Sequence, residues 1–390
     1  MFKLLVLTLF IVFFMNYELF CQNNIKKYID SIEANNLELI SARRQLSADI
    51  IGSKIGIYPD DPQIGLDYFP VNQARLELRA TQSFDFPTSY LFKSWLSDYK
   101  GEKAKKLYLL KRREILKDAR NIIIEIIYLN KLLVLLDNRK KNVDNLNLIA
   151  RKRIDAGDIN AIDKNKINLE YMQAMLDYQL TEADYKKSLV RLNSLNGNKP
   201  LIVTDTDFPD IELPNEEDEL LKEYIANDIL LNIASIDTLI SESQISFSKS
   251  LNLPGLLIGY RMDLIADKPQ HGLIFGFSIP LWQNKFAVEY SEEQKEANVL
   301  AYNSINNESV TNLKTLFSQY QYFSKTFSDA MNISSSTNNI NLLNMALNSG
   351  EISITDYLIE TSKYYQINQS LLKLEFNITQ LKSLMKSYEL

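Results

Sequence analysis

Between Arg75 and Pro87 apolar and polar side chains alternate strictly. Leu76, Leu78, Ala80, Phe84 and Phe86 fall on one face; Arg75, Glu77, Arg79, Thr81, Ser83 and Asp85 fall on the other. Gln82 is the one polar residue on the apolar side. A period of two is a strand pattern. With Ile64, Leu66 and Tyr68 ahead of it, it predicts a hairpin within residues 63–87 that is oily on one side and wet on the other. A second hairpin is expected within 254–282. Leu256, Ile258, Tyr260, Met262 and Leu264 lie on one of its strands, and Leu273, Phe275, Phe277 and Ile279 on the other.

Elsewhere the period is helical. Residues 88–199 and 281–390 contain no proline, and a proline inside a helix costs about 3 kcal/mol, so these tracts favour very long helices. The pattern predicts a helix over 24–51, with Ile25, Ile29, Ile32, Asn36 and Leu39 on one face. A long helix over 88–156 and a return helix over 159–196 follow. Residues 198–215, with three prolines, read as a linker. The order then restarts: a helix over 216–249, the second hairpin, a long helix over 285–348 and a return helix over 352–388. In the first long helix Ile115, Ala119, Ile122, Ile126, Leu129, Leu133 and Leu136 alternate steps of four and three, with Ile123, Ile127 and Val134 as a second seam beside them. Two seams imply helical neighbours on both sides. The charges around them, including Lys111, Arg112, Arg113, Lys117 and Lys131, read as solvated surface.

The restart is an internal repeat. The turn RIDAGDINAID, Arg153 to Asp163, returns as ALNSGEISITD, Ala346 to Asp356; both the glycines and the closing aspartates are offset by 193 residues. FDFP ending at Pro87 returns as FSIP ending at Pro280 with the same offset. The chain is thus read as residues 1–21, repeat one over 22–197, a linker over 198–215 and repeat two over 216–390.

Composition narrows the function. Lys3 followed by an apolar run from Leu4 to Phe14 has signal-peptide length and is too short to span a bilayer. Cys21, the lone cysteine, is preceded by the bulky Phe20 where a lipidation site wants a small residue. Cleavage after Cys21, with Gln22 leading the mature chain, is therefore expected in preference to lipidation. That leaves no disulfide and no thiolate metal site, and His271 is the one histidine. No metal site, cofactor or catalytic constellation is expected: no Gly-rich phosphate loop or nucleophile elbow occurs. The net charge of −6 includes no basic tract that would suit nucleic acid.

Strands of about ten alternating residues fit transmembrane β-strands as well as soluble half-buried hairpins. Trp95 and Trp282, with Tyr90, Phe92 and Phe286, follow the hairpins where an interfacial aromatic girdle would sit.

Taken in order, a signal peptide and then helix, amphipathic hairpin, very long helix, Gly turn and shorter helix, all given twice, resembles the TolC family of outer-membrane efflux proteins. The resemblance covers the whole mature chain. It implies a mainly α fold with a β-barrel part: a homotrimer in which three protomers build one twelve-stranded outer-membrane barrel continued by a periplasmic α-helical barrel. It implies a Gram-negative outer membrane and, as partners, outer-membrane lipid, a periplasmic adaptor and an inner-membrane pump. The turns at Gly157 and Gly350 become periplasmic tips. Asp356 matches an acidic residue that narrows the family's entrance; the second acidic position falls on Ile359 here, with Glu360 beside it. The aperture is accordingly assigned to Asp356, Glu360, Gly350 and Asp163. The adaptor-contacting tip is assigned to Arg153, Gly157, Asp158, Ser349 and Glu351. Arg153 has Ala346 as its counterpart, so the first tip alone is fully family-like. The same residues also read as ordinary turn and cap residues.

The expected activity is a passive exit duct. The alternative is a periplasmic coiled-coil scaffold or adaptor without a pore, which would lack two matched aromatic hairpins.

Overall fold

The computed structural model describes residues 25–70, 75–155, 160–214, 216–265, 268–334 and 340–390. The expected signal peptide and Cys21 lie outside them. Helix α1 covers 25–35 and α2 Leu37–Gly52. Strands β1 (Gln63–Phe69) and β2 (Arg75–Phe84) follow, then α3 (Pro87–Asp155) and α4 (Ala161–Leu195). Repeat two contributes α5 (Glu217–Ala226), α6 (Ile229–Ser250), β3 (Gly255–Ile265), β4 (Lys268–Ser278), α7 (Ala287–Ser334), α8 (Ile340–Ser349) and α9 (Ile354–Met385). The predicted helix over 285–348 is represented by α7 and α8; residues 335–339 between them lie outside the described residues.

Two expected single helices are each divided, and for the same reason. The tract 24–51 is interrupted at Asn36. Its Oδ1 accepts from the Leu39 N–H, opening α2, while its Nδ2 donates to the Leu195 carbonyl. The tract 216–249 is interrupted ahead of Asp228, whose carboxylate caps the N–H of Leu230 and Leu231 and accepts from Ser309 Oγ at 2.6 Å. Asn36 is buried on the core face, as the pattern expects, and its amide also serves the backbone of two elements, as short polar side chains do at helix starts.

The chain divides into two compact units that do not follow the repeats. One comprises 1–40, 112–226 and 311–390, the other 41–111 and 227–310, so each takes a share of both. In the first unit the main core gathers Tyr28, Ile32 and Leu39 against Ile115, Leu116, Ala119, Ile122, Ile123, Ile126 and Ile127, with Leu192 and Val203 closing it. Both seams of α3 are buried over this stretch. Past Leu129 the buried apolar positions narrow to one stripe, Leu136, Val143, Leu146 and Ala150, and Val134 of the second seam is exposed. Several of the charges read as solvated are tied down here. Arg112 pairs with Glu33 at 2.6 Å and donates to the Leu390 carbonyl, and Lys131 pairs with Asp207 at 3.3 Å. Gly197 has φ +66°, and a Cβ there would lie 2.5 Å from the Asn35 carbonyl oxygen, so the close of α4 against α1 requires glycine.

The second unit holds the sheet. Its order is β1-β2-β3-β4, antiparallel throughout, with Leu78 opposite both Leu66 and Met262, and Met262 opposite His271. Its helices meet through small hydroxyls: Ser89 with Ser250 at 2.8 Å, Ser248 with Ser291 at 3.0 Å and Ser53 with Ser97 at 3.2 Å. Side chains this short let backbones approach closely, and each buried hydroxyl finds a partner.

Candidate functional site: an inverted sheet and the paired turns

The sheet is apolar on its outside. Ile64, Leu66 and Tyr68 on β1 and Leu273, Phe275 and Phe277 on β4 are exposed, the last three at 71–73%. The opposite, polar face contains the buried residues Glu77 and Asp263, each 5% exposed. In water this is the wrong way round, because burying apolar rather than charged side chains drives folding. It suits a sheet whose outer face meets lipid. Gln82, the polar residue on the apolar face, donates to the Asp60 and Ser83 carbonyls, so its NH2 group is held by backbone oxygens.

The residues assigned to a girdle lie where the strands join the helices. Trp282 and Phe286 are exposed at 77% and 64% in the bend after β4. Trp95, at 45%, packs edge-on against Phe92 in the opening turns of α3. Tyr90 is half-buried, and its hydroxyl accepts from the Asp85 N–H at 2.9 Å.

The two return helices begin alike. Asn160 caps α4 by accepting from the Asp163 N–H at 2.9 Å, and Ser353 caps α9 by accepting from the Asp356 N–H at 3.1 Å. Ser353 Oγ also reaches the Asp356 carboxylate at 2.6 Å. The repeated closing aspartate is therefore the third residue of its helix, placed by a cap and favoured by the positive helix end. Ahead of α9 the chain turns at Gly350, φ +77°. The Glu351 N–H donates to the Ala346 carbonyl at 2.9 Å, the six-to-one bond of a Schellman close, which explains why glycine stands there.

The first unit brings the two turns together. Leu146, Ala150, Ile167, Leu347, Ile354 and Tyr357 form one core from α3, α4, α8 and α9. Burial pushes the Tyr357 phenol up, and its hydroxyl donates to Asn344 at 2.6 Å. On the rim of this core Lys166 donates to Thr355 Oγ1 at 2.8 Å, and Thr355 Oγ1 donates to Asp163 at 3.2 Å, linking α4 to α9. Asp163 is thus engaged across the repeats, whereas Asp356 is exposed. Glu360 is also exposed and pairs with Lys363 at 3.1 Å. Ser349 Oγ donates back to the Met345 and Ala346 carbonyls, and Glu351 is exposed in the turn. Arg153 stands in the last turn of α3; its side chain, with Gly157 and Asp158, lies outside the described residues. Lys166 and Thr355 escaped the sequence reading. Thr355 lies within the repeated turn itself, one residue before Asp356.

No family model and no curated protein matches the sequence. Solved structures do match it. CusC, whose crystal structures concern folding and transmembrane channel formation, aligns with a TM-score of 0.79 at 12% identity, covering 94% of this chain and 92% of its own. The open-state MtrE outer membrane channel of Neisseria gonorrhoeae gives 0.78 at 12% identity, covering 94% and 88%. The outer membrane protein VceC of Vibrio cholerae gives 0.78 at 12%, covering 94% and 96%. The chain has the outer-membrane channel fold. At this identity the likeness lies in the path of the backbone and not in shared side chains. An exposed apolar sheet face of this kind is stabilised by a nonpolar surrounding. Among the described residues no helix is long and apolar enough to cross a membrane.

Proposed function

We propose that this protein is the outer-membrane exit duct of a tripartite efflux system, passively conducting substrate that an inner-membrane pump delivers through a periplasmic adaptor. The observation that carries the reading is the inverted sheet, with Leu273, Phe275 and Phe277 outward and Glu77 and Asp263 inward. Among the described residues one chain supplies four strands, and β1 and β4 each leave an edge unpaired within it. Open edges are not tolerated in lipid, and four strands are too few for an outer-membrane barrel; three copies closing a twelve-stranded ring satisfy both constraints. Exposed residues along α4, Ile162, Leu169, Met172, Leu176 and Leu180, fall at steps of seven, three, four and four, a seam suited to the helix of a neighbouring copy. A periplasmic scaffold without a pore would leave the apolar sheet face in water.

In this reading Asp356, supported by Gly350, Glu360 and Asp163, narrows the periplasmic aperture, and Arg153, Gly157, Asp158, Ser349 and Glu351 meet the adaptor. Trp95, Trp282, Tyr90 and Phe286 form the interfacial girdle. Purified from the outer-membrane fraction, the protein is expected to run as a trimer and to form channels in planar bilayers; recovery as a soluble periplasmic species would sink the proposal. Asp356→Asn is expected to lower cation preference measurably at low salt and little at high salt, because screening shortens the reach of an exposed ring of charge. Unchanged selectivity would remove Asp356 from the constriction.

A further inference from the structure

The polar face of the sheet is more organised than a wet surface needs to be. In the rows next to the hairpin turns, Asp67, Glu77 and Asp263 stand side by side across β1, β2 and β3, and in the adjoining row Arg79 stands directly opposite Arg261. Like charges facing each other across strands are destabilising. Here the cost is offset diagonally. Arg79 bonds Asp67 and Glu77, both at 3.1 Å; Arg75 bonds Glu77 at 3.1 Å and Asp263 at 3.0 Å; Arg261 bonds Asp263 at 3.3 Å. The result is a continuous alternating chain of three carboxylates and three guanidinium groups spanning three strands.

Two of the three carboxylates are withdrawn, while Asp67, its side chain 47% exposed, is as open as the guanidinium groups. The side chains of Glu77 and Asp263 are 7% exposed, while those of Arg75, Arg79 and Arg261 are 35–46% exposed. The central carboxylates lie beneath the guanidinium groups and orient them, and Lys268 adds a cation to the same face in the row of Arg75. Each guanidinium carries five N–H donors in a planar fork that matches carboxylate and phosphate oxygens.

We infer that this face is an oxyanion-binding band inside the barrel, with Arg79 and Arg261 as its main donors and Glu77 and Asp263 as positioning residues. It rests on the duct reading, which turns this face toward the lumen. A conducted solute bearing a carboxylate, phosphate or sulfate group meets fixed forks there, and small ions meet an anion-favouring zone opposite in sign to the aperture proposed at Asp356. Weak, shared sites of this kind set selectivity, and an oxyanion resting on the forks slows the passage of other ions while it stays.

The test is reversal potential in planar bilayers under a potassium chloride gradient, with inorganic phosphate as the probe for block. Arg79→Gln with Arg261→Gln is expected to shift selectivity severalfold toward cations and to abolish block by phosphate. Arg79→Lys with Arg261→Lys keeps the charge and hence the ion preference, and weakens the block. Because the glutamine pair leaves carboxylates unmatched and can impair folding, Asp67→Asn provides an independent arm. This residue is half exposed, and freeing Arg79 from it is expected to shift selectivity toward anions. Working channels whose reversal potential is unmoved by both the glutamine pair and Asp67→Asn would overturn the inference alone. Absence of channels from the wild-type protein would overturn the duct reading and this inference with it.

Discussion

Leu273→Arg is expected to abolish stable assembly into membranes, while Ile274→Arg, one residue further along the same strand, is expected to be tolerated. Leu273 sits midway along β4 on the outward apolar face, 72% exposed, and Ile274 points to the other face, opposite Gly259. An arginine on the lipid side of an outer-membrane strand costs about 2–4 kcal/mol at the bilayer midplane and about 0–1 near the interface. In the proposed trimer the same cost recurs in every copy. Phe277→Arg, one residue from the end of β4, is therefore expected to be milder than Leu273→Arg. The measurement is the fraction of protein folded into lipid vesicles as a function of urea. Similar midpoints for Leu273→Arg and Ile274→Arg would mean that the apolar face does not meet lipid.

That contrast between adjacent residues was already written in the sequence, because a strand period of two assigns each residue to a face without any knowledge of what surrounds it. The proline-free tracts likewise announce long helices. What the pattern could not give is which face is outside: alternation is the same for a soluble hairpin packed on a core and a barrel strand in lipid, and only the exposure of Phe275 beside the burial of Glu77 separates them. Arg75, Glu77 and Arg79 looked like generic wet residues because the pairing of β2 with β3, 170 or more residues apart in sequence, is what sets the arginines of the two strands opposite each other. At the turns the repeat located Asp163 and Asp356 but left two roles superposed. Their place as third residues of capped helices accounts for the repetition by itself, so their part in an aperture stands on the proposed assembly. Asn36 and Asp228 were hidden because a short polar residue at a helical spacing looks like a tolerated core position until its hydrogen bonds are seen.

Arg139→Ala is expected to lower the stability of the helical unit by about 3 kcal/mol, the lower end of what breaking a buried ion pair costs. Arg139 lies in α3 with its side chain only 8% exposed, bonded to Glu170 at 2.7 Å and to Asp177 at 2.8 Å, both on α4. Removing the guanidinium takes from both carboxylates the cation they share. They are 18% and 29% exposed, so water repays part of the loss, which is why the low end applies. Nearby, burial pushes the Tyr365 phenol up to about 12, the mark of a poorly hydrated surrounding in which an unpaired charge is costly. The triple change Arg139→Met, Glu170→Gln and Asp177→Asn removes all three charges together and is expected to recover much of the stability that Arg139→Ala loses, since desolvated charges cost about as much as their pairing returns. Denaturant midpoints of the wild type, the alanine variant and the triple variant provide the comparison. A triple variant no more stable than Arg139→Ala would show that what matters is the directed bonding of the guanidinium to Glu170 and Asp177, and not the balance of charge.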